Sequence, residues 1–162
     1  MNFEHLKKLT DMMFVPDGSG GILQRYDSVD AKLLNPLVQA YIGDAFFHLY
    51  VRSRLLSYEQ AKVQVLNLFS AQIVSAVWQA RAYKLIEDVL TDEEKGVFRR
   101  GRNAHSHAPR KASTIEYHAS TGFEAVLGFL YLSERFDRLI EVTERAFQAI
   151  AKEIMSKRQG KG

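Results

Sequence analysis

Two of the most apolar stretches of the chain each carry a single carboxylate where a core residue would be expected. Asp44 lies in Ala40-Tyr-Ile-Gly-Asp-Ala-Phe-Phe47 and Glu124 in Ser120-Thr-Gly-Phe-Glu-Ala-Val-Leu-Gly128. An ionised carboxylate enclosed in such a segment loses several kcal/mol of hydration unless a hydrogen-bond donor, a cation or a metal replaces the water. The fold must therefore bring a partner to each acid, and two acids facing each other across helices suggest a metal site.

With 162 residues and 46% hydrophobic content, the chain can bury one substantial core, so a single globular domain is expected. No run of about 18 residues is free of polar interruption, and Met1-Asn-Phe-Glu-His-Leu-Lys-Lys8 is not followed by the apolar region of a signal peptide. A soluble, cytoplasmic protein is expected. Cysteine is absent, which excludes disulfides, thiolate zinc sites and cysteine nucleophiles. Any metal must be held by oxygen or imidazole.

The net charge of +3, from 22 Lys and Arg against 19 Asp and Glu, is a mild basic bias. Its distribution says more. From Lys95 to Lys111 the chain carries Lys95, Arg99, Arg100, Arg102, Arg110 and Lys111 with no acidic residue, and Asn103, His105 and His107 lie among them. Such a patch is either a solvated surface or a phosphate-binding one.

Helical periodicity dominates and no convincing alternating strand occurs, so the fold class is all-α. A first helix is expected over about Phe3 to Met13, followed by a flexible turn at Pro16-Asp-Gly-Ser-Gly-Gly21. Asn35 is a candidate N-cap with Pro36 in the first turn of a helix reaching about Leu56. Ser57-Tyr-Glu-Gln60, Thr91-Asp-Glu-Glu94 and Ser113-Thr-Ile-Glu116 have capping-box spacing, and each is expected to open a helix. Ala61 to Ile86 accommodates two helices meeting near Phe69-Ser70. Gly101 to Ala112 is the expected loop, and a last helix runs from about Phe136 to Met155 before a disordered tail. Residues 1–32 thus form an extension, 33–156 the main domain and 157–162 the basic tail.

Each carboxylate has two readings. Gly43 could end one helix with Asp44 capping the next, or Asp44 could lie inside a helix with His48 one turn away as its partner. Thr121-Gly-Phe-Glu124 has capping-box spacing of its own, whereas a start at Ser113 puts Glu124 about three turns into a helix. In the second case Tyr117, Thr121, Glu124, Gly128 and Tyr131 share a face, and Gly128 permits close approach of another helix or a ligand. His105 and His107 lack partners at metal-ligand spacing, which favours RNA or solvent contact, and His118 reads as a helix-surface residue. Phosphate-loop, dinucleotide and zinc-protease motifs are absent. Two carboxylates beside a cationic segment suit Mg²⁺ and a phosphodiester substrate.

Tyr41-Ile-Gly-Asp-Ala45 resembles the Leu-Gly-Asp-Ala core of the ribonuclease III signature helix, and Glu124-Ala-Val-Leu-Gly128 resembles that family's Glu-Ala-Leu-Ile-Gly motif. Asn35-Pro-Leu-Val-Gln39, Tyr50-Val-Arg52 and Arg100-Gly-Arg-Asn-Ala104 make the likeness closer to the small bacterial Mini-ribonuclease III branch, which consists of a catalytic domain alone. The longer enzymes carry further acids at the positions of Leu37, Ala40 and Thr121. Only Asp44 and Glu124 carry over, with Glu116 a candidate outer-shell acid.

The resemblance implies a Mg²⁺-dependent endoribonuclease cleaving double-stranded RNA to 5′-phosphate and 3′-hydroxyl ends, with Asp44 and Glu124 as catalytic metal ligands. Fewer carboxylates imply looser metal binding, strengthened by substrate. With no double-stranded-RNA-binding domain to help, Arg99, Arg100, Arg102, Asn103, His105, Arg110 and Lys111 are the residues expected to contact RNA. The resemblance further implies a homodimer packed through the Asp44 helices and maturation of precursor 23S ribosomal RNA. The rival readings are a non-catalytic RNA-binding scaffold and a helical interaction protein without RNA.

Overall fold

The structure, a computed structural model, describes residues 3–23, 29–104 and 113–159. Among them are seven α-helices: α1 (Phe3–Met13), α2 (Pro36–Leu55), α3 (Val63–Ile73), α4 (Ala76–Ile86), α5 (Asp92–Asn103), α6 (Thr114–Leu132) and α7 (Phe136–Gln159). A 3₁₀ turn, Glu87–Val89, links α4 to α5. The all-α class is as the periodicity requires.

Local chemistry sets the helix starts. Asn35 Oδ1 accepts from the Leu37 amide at 2.9 Å, with Pro36 following it in the first turn. Thr91 and Ser113 both form complete capping boxes with Glu94 and Glu116. Glu94 goes further, because Arg138 on α7 donates to both of its carboxylate oxygens, at 2.8 and 2.9 Å, and also to the Val89 carbonyl. Burial alone would raise the Glu94 pKa, but the bonds from Arg138 and Thr91 outweigh it and hold the carboxyl below its ordinary range. The start of α5 is thereby clamped to α7.

The central element is α6, which packs against α2, α4, α5 and α7. From Ser120 to Leu130 every residue except Glu124 is buried. Phe123, Val126, Leu127, Phe129 and Leu130 form the middle of the core, each contributing roughly 1.5–3 kcal/mol by leaving water. Phe123 meets Phe47 of α2 edge-on at 5.4 Å between centroids. α6 ends in a Schellman arrangement: Arg135 N–H donates to Leu130 O and Glu134 N–H to Tyr131 O, with Glu134 in the left-handed region at φ 57°.

Two glycines let α2 and α6 touch backbone to backbone. A Cβ on Gly43 would overlap the Glu124 carbonyl, and one on Gly128 would overlap the Gln39 carbonyl. α5 approaches α6 in the same way, since a Cβ on Gly101 would lie 2.7 Å from Ala125 Cβ and 3.0 Å from Gly122 Cα.

Several boundaries differ from the sequence expectation. The Ser57 box does not form: the Glu59 side chain accepts from the Ala61 and Lys62 amides in the loop instead, and α3 starts at Val63 with no side-chain cap. The break between α3 and α4 falls at Val74-Ser75, because Ser75 is extended whereas Ser70 stays helical and donates back to the Asn67 carbonyl. Gly101 lies inside α5, so Gly101 to Asn103 are helical rather than loop. The Pro16–Gly21 turn is organised, with a bridge between Pro16 and Ile22 and with Asp17 Oδ1 accepting from Ser19 and Gly21. α7 continues past Met155 to Gln159, into the segment expected as tail.

Candidate active site

Asp44 and Glu124 come together across the α2–α6 contact. Both lie inside continuous helices, so neither is a cap. They line one pocket of about 320 Å³ with Leu37, Ala40, Tyr41, Tyr117 and Thr121. Leu37, Ala40 and Thr121, the positions where longer enzymes of the resembled family carry acids, thus face this pocket with no charge of their own.

The two acids differ in setting. The Asp44 side chain is about half exposed, and His48 Nε2, one turn along α2, lies 3.3 Å from its Oδ1. Glu124 is pressed between helices. Burial first, and the Asp44 charge second, push its carboxyl up to about 8, partly opposed by a hydrogen bond from Gln79. A group held neutral by these two causes gains most from a cation placed between the acids. The hard oxygen donors and the room for waters fit a divalent ion of the Mg²⁺ type.

Among the described residues no group of three or more His, Cys, Asp or Glu side chains gathers as a metal site. Glu116 is occupied at the start of α6, where its carboxylate accepts from Ser113 Oγ at 2.7 Å. Thr121 Oγ1 donates to the Tyr117 carbonyl at 3.1 Å. The pocket thus brings together two carboxylates, Asp44 and Glu124.

Beside it runs a basic groove of about 760 Å³ between the start of α2 and the side of α5, lined by Asn35, Pro36, Leu37, Gly96, Arg99, Arg100, Asn103 and Ala104. Leu37 lines both this groove and the carboxylate pocket, so the two adjoin at that residue. Arg99, Arg100 and Asn103, three of the residues expected to contact RNA, thus line one groove. Arg102 is not among the lining residues: its guanidinium lies 5.9 Å over the Phe98 ring. Its carbonyl meets His118 Nδ1 at 2.9 Å, so His118 ties α6 to the end of α5. His105, Arg110 and Lys111 lie outside the described residues.

Asn35 and Gln79 are site neighbours that the sequence reading did not single out as functional. The signal for Gln79 was there, a lone polar residue in Ala76-Val-Trp-Gln-Ala80.

Residues 38–135 match the model of the Ribonuclease III domain. The chain is 42% identical over 118 residues to a Mini-ribonuclease 3 of Thermoanaerobacter sp. (strain X514), covering 72% of this chain and 83% of that relative. It is 45% identical over 114 residues to the Mini-ribonuclease 3 of Symbiobacterium thermophilum, covering 70% and 88%. For that of Streptococcus pneumoniae the identity is 38% over 125 residues, covering 75% and 98%. A crystal structure of a Fusobacterium nucleatum protein superposes with a TM-score of 0.67 at 27% identity, covering 75% of this chain and 98% of that one.

Proposed function

The chain belongs to the ribonuclease III family, among its Mini-ribonuclease 3 members, and from that premise we propose that Asp44 and Glu124 form the Mg²⁺ site of an endoribonuclease acting on double-stranded RNA. The observation that carries this reading is that the Arg99–Arg100 groove adjoins the two-carboxylate pocket at Leu37. A duplex backbone held by those arginines would lie beside the pocket of the acids.

Asp44 and Glu124 would hold the ion from opposite helices. A bound divalent ion there supplies polarisation of the scissile phosphate and a water acidic enough to attack at neutral pH. Arg99, Arg100 and Asn103 bind the phosphates and 2′-hydroxyls through which A-form RNA is recognised. His48, its Nε2 3.3 Å from Asp44 Oδ1, is placed to pair with that carboxylate. The Gly43 and Gly128 contact fixes the separation of the two acids.

Val38, Tyr41, Ala45 and Leu49 lie on one stripe of α2, and Val38, Tyr41 and Leu49 are 46, 76 and 65% exposed. An apolar stripe of this kind supports a homodimer through α2, with Tyr41 shared between the stripe and the pocket. Residues 33–156 are then the catalytic unit and 1–32 an extension. No helix among the described residues is long and apolar enough to cross a membrane. Maturation of precursor 23S ribosomal RNA in the cytoplasm is the cellular role we infer from the family.

Incubating the protein with duplex RNA in Mg²⁺ or in EDTA tests the reading. Cleavage to 5′-phosphate and 3′-hydroxyl ends in Mg²⁺ alone is expected, with single strands of the same sequence spared. Salt-sensitive binding with no cleavage in either condition would make the chain a scaffold instead.

A further inference from the structure

The pocket between α2 and α6 has more on its wall than the two acids. Tyr117 precedes Glu124 on α6 by two turns, and Leu37 precedes Asp44 on α2 by the same interval, so each acid shares its stripe with a residue about 10 Å nearer the start of its helix. All four line the pocket. Of the lining side chains that can donate a hydrogen bond, Thr121 already gives its hydroxyl to the Tyr117 carbonyl at 3.1 Å. The phenols of Tyr41 and Tyr117 bond nothing among the described residues. Tyr41 is 76% exposed and stands on the apolar stripe of α2. Tyr117 is half-buried and its turn of α6 is fixed: its carbonyl accepts from Ser120 Oγ and Thr121 Oγ1, and His118 beside it meets the Arg102 carbonyl at the end of α5.

We propose that the Tyr117 hydroxyl binds the ribose 2′-hydroxyl of a nucleotide flanking the cleaved bond, which makes Tyr117 a specificity residue that favours RNA over DNA in the pocket. A packing role needs only the ring, and phenylalanine would supply it. A phenol is an uncharged donor and acceptor, the match for a hydroxyl that is both as well. Phosphate oxygens gain more from guanidinium groups, and Arg99 and Arg100 offer those in the adjoining groove. With a phosphate at the carboxylates, the two-turn offset of Tyr117 falls on the adjoining sugar rather than on the same phosphate. That sugar carries the group by which a protein tells RNA from DNA.

The inference rests on the reading of Asp44 and Glu124 as the cutting site, and the experiment separates the two. The parent and Tyr117→Phe, which loses the hydroxyl and keeps the ring, are compared on an all-RNA duplex and on duplexes with one 2′-deoxynucleotide placed in turn at each position flanking the cleaved bond. Thermal unfolding and duplex binding in EDTA accompany kcat/KM in Mg²⁺. For the parent, one of these substitutions should lower kcat/KM about fivefold. Tyr117→Phe should unfold at the parent's midpoint, cleave the all-RNA duplex about fivefold less efficiently and be indifferent to that same substitution, because the two changes remove the two halves of one contact. A parent that cleaves every substituted duplex as well as the all-RNA one overturns the role of Tyr117 alone. So does a folded Tyr117→Phe that keeps the parent's discrimination at that nucleotide. Failure of the parent to cleave the all-RNA duplex in Mg²⁺ overturns the site reading itself, and the role of Tyr117 with it. Should Tyr117→Phe fail to fold, Tyr117→Met takes its place with the same outcomes.

Discussion

Gly43 and Gly128 lie against each other's helices so closely that neither could carry a methyl group, the first blocked by the Glu124 carbonyl and the second by that of Gln39. Asp44 is the next residue after Gly43, and Glu124 is one turn before Gly128. The contact that joins α2 to α6 is therefore also the ruler that spaces the two acids. Gly43→Ala or Gly128→Ala should destabilise the protein by about 3 kcal/mol, as overpacking against backbone does. Cleavage should be lost even at temperatures where the variant is folded. Gly96→Ala is the contrast, because a Cβ there meets only Arg99 Nη2 at 3.8 Å. It should raise stability by about 0.5 kcal/mol through helix propensity. Denaturant midpoints on the three variants check this ordering.

Asp44→Asn should fold as the parent does and bind duplex RNA with similar affinity, because the Asp44 side chain is half exposed and lies outside the basic groove. Cleavage should fall by roughly 10³-fold, the loss expected when a ligand that secures several kcal/mol of charge stabilisation is neutralised. The same change removes the like charge beside Glu124, whose carboxyl should then titrate below its present value of about 8. Carboxyl NMR titration reads that shift independently of activity.

Glu124 also gives the metal-free protein a distinctive pH profile. Its folded-state pKa of about 8 stands above the ordinary 4.5, so between those values the folded chain holds a proton that the unfolded chain has released. Stability in EDTA should accordingly fall as pH rises through that interval. Mg²⁺ must displace the proton, so the stabilisation it confers should grow over the same range. Glu94 acts oppositely on the acid side: its lowered value contributes stability that is lost as pH falls below 4.5. Thermal unfolding at several pH values with and without Mg²⁺ measures both effects. Glu124→Gln should flatten the alkaline one and leave the acid one.

Neutralising Arg99 and Arg100 together should weaken duplex binding and flatten the dependence of log affinity on log salt by about 2, near one unit for each phosphate that the protein no longer neutralises. Arg102→Ala should do less, since that guanidinium packs over Phe98 and does not line the groove. An unchanged slope in the Arg99 and Arg100 variant would remove the groove from the RNA interface.

What the sequence conveyed depended on whether a residue's preference was local. Asn35-Pro36, Thr91 and Ser113 satisfy backbone amides within their own turn, and each helix start stands where its motif predicts. Ser57 fails for the same reason in reverse, as Glu59 finds nearer amides in the loop. Gly101 reads as a breaker in one dimension, whereas in three it is a gap for α6 to enter, and only the partner helix distinguishes these. Asp44 and Glu124 were legible as anomalies in apolar surroundings. Gln79, buried with its Oε1 unpartnered, carried a fainter version of that signal.

The described residues on either side of segment 105–112 are each held by bonds of their own. Before it, the Ala104 amide closes on the Gly101 carbonyl and His118 holds the Arg102 carbonyl. After it, the Ser113 box starts α6 afresh. The bonds that fix where α5 stops and α6 begins, and with them the place of Glu124 along its helix, are thus all made by residues flanking that segment.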